Sequence, residues 1–264
     1  MSVVITGSSR GLGFGLAEAF ASRGHNVVVS GRTQSDVENA VDKLSEFEGT
    51  VIGQQCDVSD ETQVQALKDA AVNAFAKIDI WINNAGLARN TKPILDIAQT
   101  DITAMIETNM KGQINGCRAA AGVMTAQGSG KIFNILGGGS DGEYFPGMGV
   151  YGATKRGLDY FTDALVKELA QTPIIIGKVR PGLVITDAVL REARDDPEVF
   201  NASRTMMNNL VDQVETVAPW LVDKMLATEK SGAKIRWLTG GKIGVRMMKA
   251  RFKTRPDQFE RHGL

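Results

Sequence analysis

Short apolar runs alternate with amphipathic stretches along the chain, and the two patterns predict different elements. Val3 to Thr6, Val27 to Ser30, Val51 to Cys56, Ile80 to Asn83, Ile132 to Leu136, Ile174 to Val179 and Ile235 to Leu238 read as buried strands. Between them, Leu12 to Ser22, Val37 to Phe47, Val64 to Phe75, Ile102 to Met124, Gly157 to Leu169 and Val217 to Met225 carry apolar residues at helical spacing. Strict alternation of this kind implies right-handed crossovers. The expected fold is α/β, a three-layer doubly wound parallel sheet of about seven strands. Ligands of such sheets bind at the carboxyl ends of the strands.

Two segments break the alternation. Residues 187–215 follow the sixth strand and contain Phe200, Met206 and Met207, a candidate substrate lid. Residues 242–264 form a basic tail in which Lys242, Arg246, Lys249, Arg251, Lys253 and Arg255 alternate with Ile243, Val245, Met247, Met248 and Phe252. No internal repeat and no Pro-, Gly- or Ser-rich linker divides the chain, so residues 1–264 are expected to form one dinucleotide-binding and catalytic domain.

Composition narrows the function classes. Thirty basic residues balance thirty acidic ones, which leaves no global field toward nucleic acid; attraction to an anionic membrane would have to be local, as in the basic tail. More often such a tail is a solvated amphipathic helix packed on its own subunit. No run of 18 apolar residues occurs, so no transmembrane segment is expected. Cys56 and Cys117 are too few for a disulfide framework and have no metal-like partner at short spacing; reduced buried thiols and no metal site follow. Met1 runs straight into the first strand without a signal peptide, so a cytoplasmic location is expected, or a plastid one if a transit peptide has been removed.

After the first strand comes Thr6-Gly7-Ser8-Ser9-Arg10-Gly11-Leu12-Gly13. Its glycines permit a tight turn and bring backbone N–H groups to a pyrophosphate at a helix N-terminus. The spacing Gly-x-x-x-Gly-x-Gly resembles the cofactor loop of the short-chain dehydrogenase/reductase family, whose fold is Rossmann-like. Asp57-Val58 and Asn83-Asn84-Ala85-Gly86 close the third and fourth strands where that family carries an adenine contact and a sheet-stabilising turn. Asp57 could instead cap the next helix. At the end of the second strand Arg32, with Arg10 in the glycine loop, can pair with a 2′-phosphate and so points to NADP(H); Asp36 argues for NAD. The expected cofactor contacts are Gly7, Ser9, Arg10, Gly11, Leu12, Gly13, Arg32, Asp57, Val58, Asn84, Ala85 and Gly86.

Tyr151-Gly152-Ala153-Thr154-Lys155 matches the family's Tyr-x-x-x-Lys, and residues four apart share a helix face. Lowering a tyrosine pKa by about three units takes about 4 kcal/mol, part of which an adjacent ammonium supplies. The resemblance implies Tyr151 as acid/base between a small-molecule carbonyl and its alcohol, with Lys155 also holding the nicotinamide ribose. It implies Asn109 as the helix-kinking asparagine of a proton relay. It also implies Pro181, Gly182, Val184 and Thr186 beside the nicotinamide amide, and a homodimer or homotetramer. The family's serine stands about thirteen residues before the tyrosine; here that position is Gly138, and Ser140 is the nearby hydroxyl expected to bond the substrate oxygen.

Phe133-Asn134-Ile135, the following glycines and Ser140, Pro181 to Asp187, and Glu215 to Ala218 resemble chlorophyll b reductases and their uncharacterised relatives. That resemblance implies a bulky apolar substrate such as a chlorophyll-type formyl group, with Met206 and Met207 as an adaptable wall. A 3-oxoacyl or other small-carbonyl reductase, and a catalytically silent NADPH-binding regulator, are the alternatives.

Overall fold

The computed structural model describes residues 1–88 and 92–264. Seven parallel strands make one sheet: β1 (Ser2–Ile5), β2 (Asn26–Gly31), β3 (Val51–Gln55), β4 (Ile80–Asn83), β5 (Gly130–Ile135), β6 (Ile174–Arg180) and β9 (Ala233–Arg236), in the order β3-β2-β1-β4-β5-β6-β9. The chain winds outward from β1 to β3, then returns to pair β4 with the other edge of β1, Val4 meeting both Val28 and Trp81. A crevice opens at that reversal, outside the carboxyl ends of β1 and β4.

Successive strand residues point to opposite faces, and each face buries its own set. Val3, Ile5, Val27, Val29, Ile80 and Ile82 pack against Leu16 and Phe20 of α1 (Gly11–Ala21), Val37 and Leu44 of α2 (Gln34–Leu44) and Val217, Leu221 and Met225 of α9 (Val214–Leu226). Val4, Val28, Trp81, Ile132 and Ile176 pack against Val64 and Leu67 of α3 (Glu61–Phe75) and Cys117, Ala120 and Met124 of α5 (Gly112–Gln127). Helix, sheet and helix thus form three layers. Truncating Phe20, fully buried, to alanine would cost about 3–5 kcal/mol. Cys56 and Cys117 are buried free thiols, each pushed up to about 12 by burial.

Three elements differ from the pattern-based expectation. The predicted helix from Ile102 to Met124 is α4 (Gln99–Ile106) and α5 joined by a π turn, Glu107–Lys111, with Asn109 at its centre. Helix α6 (Gly149–Glu168) starts eight residues before Gly157, because its glycine-rich first turns lack apolar periodicity and are held by packing. Strand β9 lies two residues earlier than Ile235–Leu238: Trp237 turns out of the ladder, stacking edgewise on Trp220 and donating its indole N–H to Asp212 at 2.6 Å.

The two irregular segments fold on each other. Residues 187–215 hold α7 (Asp187–Asp195), α8 (Pro197–Leu210) and β8 (Asp212–Gln213), which pairs with β7 (Val184–Ile185). Residues 242–264 continue α10 (Gly240–Ala250) and wrap back, so that Phe259 is fully buried and meets Phe200 edgewise at 5.0 Å. Asp212 ties the parts together, accepting from Arg246 and Arg255 at 2.8 Å each. Much of the basic tail is therefore packed against its own chain, and its inward arginines are spent on one buried carboxylate.

Candidate active site

Between β1 and α1 the chain must reverse tightly, and Gly7 and Gly11 do so at φ +63° and +58°, a region costly for any other residue. A Cβ on Gly13 would stand 2.3 Å from the Gly7 carbonyl oxygen, so only glycine lets the first turn of α1 approach so closely. Arg10, at the N-cap, makes no side-chain cap, which leaves the first amides of α1 available to an anion. Buried polar groups brace the loop. The Ser8 hydroxyl donates to Ile5 O at 2.6 Å and accepts from Ser30 N at 2.9 Å. The Asn84 amide donates to Thr6 O and Gly7 O at 3.0 and 2.9 Å, and Thr6 Oγ1 accepts from Asn84 N and Ala85 N.

The resulting cleft has a volume of about 300 Å³. Gly7, Ser9, Arg10, Gly11, Leu12 and Gly13 line it on one side; Arg32, Asp57, Val58, Asn84, Ala85, Gly86 and Thr186 complete it. Pro181, Gly182, Val184, Tyr151 and Lys155 do not line it. Gly182 turns at φ +78° against Leu238, and Val184 is buried in the core. Pattern reasoning did not single out Gly31, Thr33, Cys56, Leu87 and Thr108, which also face the cleft. Gly31 is required by close packing that only the fold shows, since a Cβ there would stand 2.8 Å from Ser9 Oγ. Arg10 and Arg32 are exposed and, among the described residues, make no ion pair, so both guanidinium groups are free for an anion; Asp36 lines the same end. Asp60, not Asp57, caps α3, accepting from Thr62 N and Gln63 N; Asp57 instead accepts from Ser59. A glycine loop, uncapped helix amides and free arginines fit a phosphorylated dinucleotide.

Tyr151 and Lys155 share one face of α6, with the Lys155 ammonium 5.7 Å from the tyrosine ring centroid. Lys155 donates to Ile135 O at 3.1 Å, at the end of β5. A Cβ on Gly86, which lines the cleft, would lie 3.4 Å from Lys155 Nζ and 3.6 Å from Asn109 Oδ1. The lysine and Asn109 therefore converge behind the cleft wall. Asn109 accepts from Leu87 N at 2.7 Å and donates to Leu87 O and Thr154 Oγ1. Its π turn breaks the regular helical ladder where the side chain enters this network. Burial, reinforced by Glu192, pushes Tyr151 up to about 12, and burial lowers Lys155 to about 8. Burial thus opposes the lowering expected from the neighbouring ammonium and keeps the Tyr151 hydroxyl protonated.

Ser140 does not take the position expected of it. Its hydroxyl is fully buried, has no hydrogen-bond partner among the described residues, and makes no bond to Tyr151. The residue facing the tyrosine is Gly137, one position before the Gly138 reached by counting: a Cβ on Gly137 would stand 2.2 Å from Tyr151 Oη, whereas one on Gly138 would meet Phe145. The cause is a tight turn, Ser140 N to Gly137 O at 3.2 Å, that carries Ser140 back toward α6, where Arg156 takes its carbonyl at 3.0 Å. The neighbouring Asp141 holds this turn in place by accepting from Arg180, Arg236 and Lys234. Although burial pushes the Asp141 carboxyl up, those cations hold it below its usual range.

A family model described as short chain dehydrogenase matches residues 1–197. The chain is 36% identical, over 92% of its length, to a probable chlorophyll(ide) b reductase, chloroplastic, of Arabidopsis thaliana, and spans 51% of that protein. It is 37% identical, over 90% of its length, to a second chloroplastic chlorophyll(ide) b reductase of the same plant, spanning 70% of it. The chain thus spans about half the length of the first of these relatives. Among solved structures, a serine dehydrogenase in complex with NADP+ superposes with a TM-score of 0.78 at 27% identity, covering 90% of this chain and 95% of that one.

Proposed function

The chain belongs to the short-chain dehydrogenase/reductase family, and from that premise we propose that it reduces a carbonyl to an alcohol with Tyr151 as the proton donor. It is an NADP-dependent oxidoreductase of that family. The observation that carries the reading is the meeting of Lys155, Asn109 and the cleft-lining Gly86 within one small region, which joins the Tyr151–Lys155 pair to the dinucleotide cleft.

Bound in the cleft, NADPH supplies the hydride. Arg32 and Arg10 would hold its 2′-phosphate, and the amides at the start of α1 its pyrophosphate. Tyr151, kept protonated by burial, gives its Oη proton to the carbonyl oxygen as the carbon gains hydride. Charged Lys155 would stabilise the tyrosinate left behind, and Asn109, which approaches the same glycine as Lys155, would help to restore the proton.

For the substrate we propose a bulky, flat carbonyl compound, a chlorophyll-type formyl group being the reading that the 36–37% identical relatives favour. Gly137 puts no side chain beside the tyrosine hydroxyl, and Phe145, 42% exposed, lies against Gly138 as an apolar face for a conjugated ring. Residues 187–215 would form the lid. Met207 packs into the lid's own core, and Met206 is exposed.

The test is NADPH oxidation by the purified chain against chlorophyllide b, 3-oxoacyl thioesters and small aldehydes, with Tyr151→Phe alongside. Turnover of chlorophyllide b that Tyr151→Phe abolishes, with NADPH binding retained, is the expected result. Turnover of the thioesters alone would make this a small-carbonyl reductase. NADPH binding with no turnover of any carbonyl would make it a silent binder.

A further inference from the structure

Helix α10 and the segment that follows it divide their cations between two directions. Arg246 reaches inward to Asp212 and Leu210 O, Arg255 to Asp212 and Val211 O, and Lys242 lies 3.2 Å over the Trp237 ring. Lys249, Arg251 and Lys253 are exposed and, among the described residues, have no acidic partner. The same segment exposes Val245, Met248 and Phe252, at 45%, 58% and 87%. No acidic residue occurs from Gly240 to Pro256, although the chain as a whole carries no net charge.

We propose that the outer face of α10 and of the turn that follows it docks on an anionic lipid surface, the three free cations meeting headgroups while Val245, Met248 and Phe252 enter the acyl boundary. Apolar side chains protruding among unpaired cations suit a bilayer, which offers negative charge and hydrocarbon a few ångströms apart. A protein interface core tends to lose charged residues, especially lysine. The inward anchors hold the face in place: Asp212 ties α10 and the segment after it to the part of the chain that carries α8. The inference stands apart from the substrate reading, since none of these residues lines the cleft. No described helix is long and apolar enough to cross a membrane, so the contact would be peripheral.

The full chain is sedimented with vesicles of phosphatidylcholine alone and of equimolar phosphatidylcholine and phosphatidylglycerol, at low and high salt. Binding to the anionic vesicles, weakened by salt, is expected. Replacing Lys249→Gln, Arg251→Gln and Lys253→Gln together should lower partitioning roughly a hundredfold. Met248→Ser with Phe252→Ser should weaken binding at every salt concentration. Circular dichroism and thermal unfolding establish that both variants fold. Absence of binding to anionic vesicles, equal binding to phosphatidylcholine alone, or binding unchanged in both variants overturns the proposal. Self-association lost in the same variants, without vesicle binding, would make the face an interface between copies and overturn it equally.

Discussion

Gly137 lies directly against the hydroxyl of Tyr151: a Cβ added to Gly137 would stand 2.2 Å from Oη and 3.1 Å from Cζ. The first contact cannot exist, so any side chain here must displace the tyrosine or the turn that carries residue 137. Gly137→Ala is therefore expected to lower kcat by about a hundredfold, because a displacement of about 1 Å at the reacting group costs that much. NADPH affinity, measured by fluorescence titration, should change little, since the cleft is built from other residues. An alanine variant with normal turnover would remove Gly137 from the site.

Ser140→Ala should leave kcat near that of the parent. The hydroxyl is buried without a partner among the described residues, and an unsatisfied buried donor costs about 1–3 kcal/mol. The variant should unfold at the same temperature or slightly higher. A loss of kcat by about 10² or more, the size associated with a lost donor to the reacting oxygen, would show that the turn opens and presents Ser140 during the reaction.

Arg32→Ala should weaken NADPH roughly ten- to a hundredfold, the size of a charge-assisted hydrogen bond, and leave NADH almost unaffected. Only NADPH brings a 2′-phosphate to the exposed guanidinium at this end of the cleft. Equal losses for the two cofactors, measured by titration, would transfer the phosphate to Arg10.

Reduction should fail on the alkaline side. Burial lowers Lys155 to about 8, so its charge is present below that pH and lost as pH rises through it. Tyr151, near 12, stays protonated throughout and contributes no limb of its own there. The kcat/KM for carbonyl reduction, which reports groups of the free enzyme, should fall above about pH 8. A profile flat through that value would mean that the lysine charge is not required.

The features that the sequence by itself determined are those whose spacing is local. Glycines at the first strand-to-helix turn, Asp57 and Asn84 at strand ends, and Tyr151 four residues before Lys155 were readable because backbone geometry ties such spacings to one turn or one helix face. The parallel sheet followed from the alternation of apolar periods for the same reason. Tertiary structure alone decided which glycine faces Tyr151, because the path from Gly137 to Ser140 depends on Asp141 meeting Arg180, Lys234 and Arg236, residues about 40 to 95 positions away. It alone decided that Arg246 and Arg255 turn inward, since Asp212 is their partner only once the tail folds back. The protonation of Tyr151 and Lys155 belongs to the same class: burial, the main cause of both shifts, is a property of the assembled layers and has no signature in the spacing of the two residues.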